Sequence, residues 1–240
     1  MRGFPKTEAF IVCVFMQIIP PPEYDNLRPS EAIALQHHLR TLVKTQPLQQ
    51  EIRSIGGADI SFNKYSNTVY AGIVTLSYPE LKPLDNITVK TIVDFPYIPG
   101  LLAFREIPAL LEAWDKLDNK PDLLVLDGQG IAHTRRIGIA SHFGVLTNTP
   151  SIGCAKSRLV GKFEAPDNVS LASSPMFHND EEIGAALRTK KNCKPIFVSP
   201  GHLINTPHSL DIIKTCVGKY RVPAPTRLAH LLVNEARMQG

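Results

Sequence analysis

The chain has 240 residues, 43% of them hydrophobic, which is enough for one well-buried core and short of two large domains. Its 26 Lys and Arg against 22 Asp and Glu leave a formal charge of +4, a mild excess without a long basic block that permits contact with a polyanion but does not require it. Cys13, Cys154, Cys193 and Cys216 stand too far apart for zinc-ligand or redox-pair spacing, so a reduced, cytoplasmic protein is the simpler expectation.

Residues 9–19 (AFIVCVFMQII) are apolar except for Gln17 but too short to span a bilayer, and prolines follow them. No membrane-spanning helix is expected there. Arg2 and Lys6 ahead of this run give the outline of a signal peptide, although the small-x-small cleavage site is missing. An upstream extension from a misplaced start codon, or an extra strand or helix docked on the core, are the other readings. Residues 20–24 (PPPEY) break regular structure, so residues 1–24 are set apart as an extension and residues 25–240 as one domain.

Ser30 precedes Glu31, Ala32, Ile33, Leu35, Leu39 and Leu42 at amphipathic-helix spacing, with Pro29 or Ser30 near the start. The pattern then changes to short β-rich runs at 55–62, 69–78 and 87–94, separated by polar, turn-forming residues at 63–67 and 79–86. This predicts a three-stranded antiparallel meander. A helix over 108–117 follows, with Leu110, Leu111, Trp114 and Leu117 on one face and Pro108 at its first position. Residues 121–127 (PDLLVLD) form an apolar run that ends in an acid and then Gly128-Gln129-Gly130, as a buried strand does when it emerges into a loop. Helix and strand alternate thereafter, with a buried strand at 195–199 and a last helix from about Thr226. The fold class that follows is α/β, a mixed sheet of antiparallel meander plus parallel strands flanked by helices.

Three acids stand where elements begin or end, among apolar neighbours: Asp59 in GGADISF, Glu106 in LLAFREIP just ahead of the predicted helix, and Asp127 in LLVLDGQG. An unpartnered buried carboxylate costs several kcal/mol, so acids in such surroundings call for cations, donors or a metal. Hard carboxylate oxygens suit magnesium or manganese, and with them the two-metal chemistry of phosphodiester hydrolysis. The same residue types also serve as helix caps, turn residues or partners of structural arginines. Asp59 resists that account best, because an Asp inside a strand is disfavoured by both propensity and burial.

The chain from about Gly57 to His230 resembles the endonuclease V family, through GADISF (57–62), FPYIPGLLAFRE (95–106), PDLLVLDGQGIAHTRRIGIASHFG (121–144), IGCAKSRLVG (152–161), SPGH (199–202) and PAPTRLAH (223–230). The resemblance implies a ribonuclease-H-like fold. It also implies a Mg2+-dependent nick, with Mn2+ able to substitute, at the second phosphodiester bond 3′ to a deoxyinosine, leaving 3′-hydroxyl and 5′-phosphate ends. Some members prefer inosine in single-stranded RNA. The implied partners are DNA with deoxyinosine or other deaminated bases, and inosine RNA, met by a monomer. The residues themselves reach only as far as phosphodiester hydrolysis; the lesion comes from the family.

By the same resemblance Asp59, Glu106 and Asp127 fall on the metal-binding catalytic acids and His230 on a position that completes the site. On a helix from Thr226, Arg227, His230 and Asn234 share one face and Leu228, Leu231 and Leu232 another, so His230 can point away from the core. Pro96-Tyr97-Ile98-Pro99 matches the wedge that enters beside the lesion, two prolines stiffening a loop that presents an aromatic ring. A pocket built from main chain around Gly100, Leu102 and Gly128 would read the base once it has left the stack. Lys156 and His133 match positions of the nuclease site and are assigned to phosphate or transition-state charge, with Arg135, Arg136 and Arg158 as further cations. Ser199 and His202 lack a visible acid and oxyanion donors for a nucleophile pair, so SPGH is read as a strand-end turn near the site. The chain departs from the family pattern in its apolar N-terminus, in Thr134 where proline is common and in Cys154 where valine is common.

A non-catalytic nucleic-acid binder on the same fold is the competing class, opposed by the acids, since a pure binder gains nothing from anions facing phosphate. An unrelated phosphohydrolase on this fold is the third.

Overall fold

The computed structural model describes residues 24–63 and 66–239. The apolar run at 9–19 lies outside them. Tyr24, set apart with the prolines in the sequence reading, is a core residue. It is 2% exposed, its ring meets Phe104 edge-on at 5.0 Å, and its hydroxyl lies 2.7 Å from His142 Nε2.

The described strands form one nine-stranded sheet in the order β3-β2-β1-β4-β5-β9-β8-β7-β6. The first three, β1 (Ser54–Phe62), β2 (Thr68–Ser77) and β3 (Pro83–Ile92), make the expected antiparallel meander, β3 starting earlier than predicted. Next, β4 (Leu123–Leu126) and β5 (Ser151–Ala155) add in parallel beside β1. The far half, β6 (Lys162–Phe163), β7 (Ala172–His178), β8 (Glu181–Arg188) and β9 (Ile196–His202), is antiparallel and joins through β5 and β9. The SPGH segment lies within β9 and is fully buried, so it is strand rather than turn. Its backbone pairs with β5 from Ser151 to Gly153, which satisfies peptide groups a buried turn would leave open.

Helices cover both faces. On one, α1 (Pro29–Leu42), α2 (Leu102–Lys116) and α3 (Ile139–Thr147) enclose Phe104, Ile107, Leu110, Trp114 and Phe143 against Ala58, Val69, Ala71 and Ile73. Each such buried large side chain contributes about 1.5–3 kcal/mol relative to exposure. On the other face, α4 (Thr206–Thr215) and α5 (Ala224–Gln239) cover Ile55, Val125, Ile152 and Val198.

Two helices differ from their predicted form. α2 begins six residues before Pro108 (108 − 102), which sits inside it. Proline removes one helical N–H and disfavours such a position, but Ala103, Phe104, Ile107, Leu110, Ala113 and Trp114 bury one continuous face across it. Tertiary burial outweighs the local preference, and Glu106 therefore projects from the helix rather than from the loop before it. In α5 the buried positions are Pro225, Thr226, Ala229 and Val233, whereas Leu231 is 49% exposed. The helix turns its small residues inward because the sheet comes close: a Cβ on Gly57 would stand 2.0 Å from the Pro225 carbonyl oxygen, and one on Gly72 2.6 Å from Val233.

Candidate active site

The parallel register of β1 and β4 fixes the first two acids. Ala58 pairs with Leu126, and the Asp127 N–H donates to the Ala58 carbonyl at 3.1 Å, so Asp127, just past the end of β4, stands beside Asp59 inside β1. Side chains alternate along a strand; Gly57 meets α5, so Asp59 faces that helix too. His230 closes the group, its Nδ1 lying 2.7 Å from Asp59 Oδ2 across 171 residues of sequence. Asp59, Asp127 and His230 offer ligand atoms that all lie within 4.8 Å of one another.

Negative charge at the site is only partly compensated. Lys156 Nζ donates to Asp127 Oδ2, and the Ile60 N–H donates to Asp59 Oδ1 at 2.8 Å. Burial, and next the neighbouring Asp127, nonetheless raise the Asp59 carboxyl above its usual range. Glu106 stands outside the tight set and approaches it from α2. Burial, then Asp59 and Asp127, push its carboxyl up to about 8. A divalent cation would relieve this repulsion, and oxygen-rich donors of this kind fit a hard ion such as Mg2+ or Mn2+.

A cavity of about 270 Å3 opens beside the acids. Glu106 and Asp127 line it together with Tyr97, Pro99, Gly100, Leu102, Gly128 and His133. Of the proline-framed segment, Tyr97 points outward at 66% exposure and Ile98 packs against the core, while Pro96 is exposed on the loop and does not line the cavity. The loop is held at both ends. Asp25 Oδ1 accepts from the Asp94 and Phe95 N–H groups at 3.0 and 3.1 Å, and Arg105 donates to the Phe95 carbonyl at 2.9 Å. At the other end the Gly100 carbonyl accepts from Gln36 Nε2 at 2.9 Å and Arg135 Nη2 at 2.7 Å. Gly100 itself has φ of +80°, a conformation suited to glycine.

The expected cations divide. Lys156 faces Asp127, and Arg158 is an exposed residue that donates to the Gly161 carbonyl at 2.8 Å. Arg135 is engaged with Gly100 and Gln36, and Arg136 is buried, bonding Glu181 at 2.7 Å, the His133 carbonyl and His178. They serve the loops rather than a solvated face. Burial, and then Arg135, lower the His133 imidazole to about 4, so it lines the cavity as a neutral ring at pH 7. Ser199 Oγ accepts the Gly130 N–H at 2.8 Å, and His202 Nδ1 accepts the Lys44 N–H at 3.3 Å, so both groups brace loops.

Gln36, Asp25 and Arg105 did not come out of the sequence reading. The available signals were Gln36 in helical register with Ala32 and Leu39, and Arg105 set among the apolar residues of LLAFREIP; the structure buries both. Both are period-3.6 positions where burial demands a partner.

The profile of the Endonuclease V family matches residues 37–231. Among curated relatives, an endonuclease V of Dictyoglomus turgidum is 47% identical over 201 residues, covering 84% of this chain and 87% of that protein. One of Roseiflexus sp. (strain RS-1) is 44% identical over 209 residues, covering 87% and 93%. Among solved structures, the endonuclease V of Streptomyces avermitilis superposes with a TM-score of 0.84 at 38% identity, covering 88% of this chain and 94% of that one. That of Ciona intestinalis, in complex with a 23mer DNA containing an inosine followed by a ribo-adenosine, gives 0.77 at 28% identity over 88% and 97%. The mixed, helix-flanked sheet is therefore the ribonuclease-H-like fold, and with these relatives and this acidic site the chain is a nuclease that belongs to the endonuclease V family.

Proposed function

We propose that this nuclease is a Mg2+-dependent endonuclease of DNA repair that nicks at the second phosphodiester bond 3′ to a deoxyinosine and leaves 3′-hydroxyl and 5′-phosphate ends. The observation that carries this reading is that Asp127 of the acidic cluster and Glu106, whose carboxyl is raised by Asp59 and Asp127 after burial, both line a cavity that Tyr97 also lines. Asp59 and Asp127 would hold Mg2+ with Glu106 beside them, and the ion supplies Lewis-acid activation of water and stabilisation of the leaving oxygen.

The chain's own groups account for the rest. The exposed Tyr97 ring, with Pro96, Ile98 and Pro99 stiffening its loop, stacks beside the extruded base. The main chain of Gly100, Leu102 and Gly128, with neutral His133, lines the space that receives it. Lys156 carries positive charge toward the scissile phosphate, and His230 holds Asp59 in place. One chain supplies all of these residues, which supports action as a monomer. Cys154, Cys193 and Cys216 are free thiols, in keeping with a reducing, cytoplasmic setting. Among the described residues no helix is long and apolar enough to cross a membrane.

Inosine-containing RNA is the second reading, favoured by the ribo-adenosine that follows inosine in the DNA bound by an Asp-to-Asn variant of the Ciona relative. A parallel cleavage assay on a deoxyinosine oligonucleotide, its adenine control and an inosine RNA tests both. Mg2+-dependent cutting of the inosine strands, lost in EDTA and in Asp59→Ala, is the expected result. Equal cutting of the control, or activity without a divalent ion, refutes the proposal.

A further inference from the structure

The outer side of His230 carries a second set of polar contacts. Asn234 Nδ2 lies 3.1 Å from His230 Nε2 and also donates to the His230 carbonyl at 2.8 Å. Asn234 Oδ1 accepts from Ser61 Oγ at 3.0 Å and from Arg237 Nη2 at 3.3 Å. Arg237 Nε donates to Ser61 Oγ at 2.8 Å, and its Nη1 to Asn63 Oδ1 at 2.8 Å.

The chemistry of the two ends dictates the direction of every bond between them. A guanidinium only donates, so Ser61 Oγ must accept from Arg237 and turn its own proton to Asn234 Oδ1. Asn234 Oδ1 faces two donors, so its amide nitrogen must face the imidazole. His230 Nε2 then accepts, which leaves the ring proton on Nδ1, where Asp59 Oδ2 receives it. Reversing Asn234 would set its NH2 against the Arg237 guanidinium and the Ser61 hydroxyl proton.

We infer that Arg237, Ser61 and Asn234 form a one-way hydrogen-bond chain that fixes His230 as the Nδ1–H tautomer, so that His230 orients Asp59 by donation and is not itself a metal ligand. Asn234 and Arg237 are thus positioning residues for the proposed nuclease site, acting through His230. Neutral imidazole coordinates through an unprotonated nitrogen, and the one such atom here is turned away from the carboxylates, toward Asn234. The juxtaposition depends on α5 and β1 together: Asn234 and Arg237 continue the face of α5 that carries His230, and Ser61 follows Asp59 on the same face of β1.

The inference rests on the nuclease reading only for its kinetic consequence, so two separate measurements are made. Long-range 1H–15N correlation on histidine-labelled, metal-free protein at neutral pH reads the tautomer directly. A protonated Nδ1 and bare Nε2 on His230 are expected in the native protein, and a proton on Nε2 instead overturns the inference whatever the enzyme cuts. Asn234→Asp presents an acceptor to Nε2 while Asp59 still accepts from Nδ1, and is expected to put a proton on Nε2 as well. Outer partners of metal sites typically control affinity or activity by about 10–100-fold, so Asn234→Asp should lower both kcat and Mn2+ affinity by about tenfold or more, with KM for the nucleic acid unchanged. Native tautomer and Mn2+ affinity in a folded Asn234→Asp protein would overturn the positioning role. A native protein with the expected tautomer that fails to cut inosine strands would instead defeat the proposed function alone.

Discussion

Gly57 lies so close beneath Pro225 that a Cβ added to it would meet the Pro225 carbonyl carbon at 2.1 Å as well as the oxygen at 2.0 Å. Backbone cannot yield as a side-chain end can, so Gly57→Ala must lift the start of α5. His230 lies one and a half turns further along that helix and would lose its place against Asp59. Overpacking of this kind typically costs about 1–3 kcal/mol, and cleavage should fall more steeply than stability. Chemical denaturation with single-turnover cleavage checks this, and a variant of native activity would show that α5 tolerates displacement.

A divalent ion should stabilise the fold. Asp59 and Asp127 repel each other and raise Glu106 to about 8 in the metal-free protein, and binding to the native state alone adds about 2.7 kcal/mol at 100 times Kd. For a chain of this size that is a rise of about 5–10 °C in Tm, which Asp127→Asn should largely remove. Because the ion must displace the proton on Glu106, its affinity should increase as pH rises toward 8. Calorimetric titration at pH 6.5 and 8 measures both effects; affinity independent of pH would exclude Glu106 from the site.

Replacing Tyr97 should separate binding from stability. Its ring is 66% exposed and packs little against the core, so Tyr97→Ala should leave Tm within about 1 °C, as for most surface changes. Loss of one stacking contact is worth about 1–3 kcal/mol, an increase in Kd for an inosine strand of roughly 5- to 150-fold. Fluorescence anisotropy gives the answer, and unchanged affinity would mean that the ring does not touch the base.

Three buried histidines set the acid limit of the fold. Burial lowers His133 and His202 to about 4 and His142 to about 3, with Arg135 and Arg136 assisting at His133, Lys44 at His202 and His133 at His142. The unfolded chain takes up these protons near 6.5 and the folded protein does not. Their stabilisation is therefore complete above about pH 6.5 and is lost as pH falls through about 4, each group contributing up to about 1.4 kcal/mol per pH unit in that window. Glu106 acts in the opposite sense, its folded value lying above its unfolded one. The clean readout is consequently a difference: His142→Gln should flatten the dependence of unfolding free energy on pH between 6.5 and 4 by about one proton. Identical slopes in the two proteins would show that His142 is protonated in the folded state.

The sequence alone marked the acids. Carboxylates at 59, 106 and 127 inside apolar runs are a local contradiction that only a partner or an ion resolves, and the meander and the buried strand before Asp127 followed from alternation and continuity of apolar residues. The proline-framed Pro96-Tyr97-Ile98-Pro99 was legible as a presented aromatic ring only through the family resemblance. What periodicity reports is which side of an element is buried, not what covers it. α2 runs through Pro108 because burial along its face outweighs the local cost, and Leu231 is exposed because the closely approaching sheet takes Pro225, Thr226, Ala229 and Val233 on the inward side of α5.

The tertiary structure decided which groups meet. The strand order sets β4 against β1, so Asp127 stands beside Asp59, and glycines 57 and 72 admit α5 closely enough to bring His230 to the pair. It also committed Arg135 and Arg136 to loop carbonyls and side chains, and joined Arg237 to Asp59 through Ser61, Asn234 and His230. A hydrogen bond requires separations of about 3 Å between residues up to 176 positions apart, and nothing in a linear chain encodes such a distance until the sheet has fixed its register.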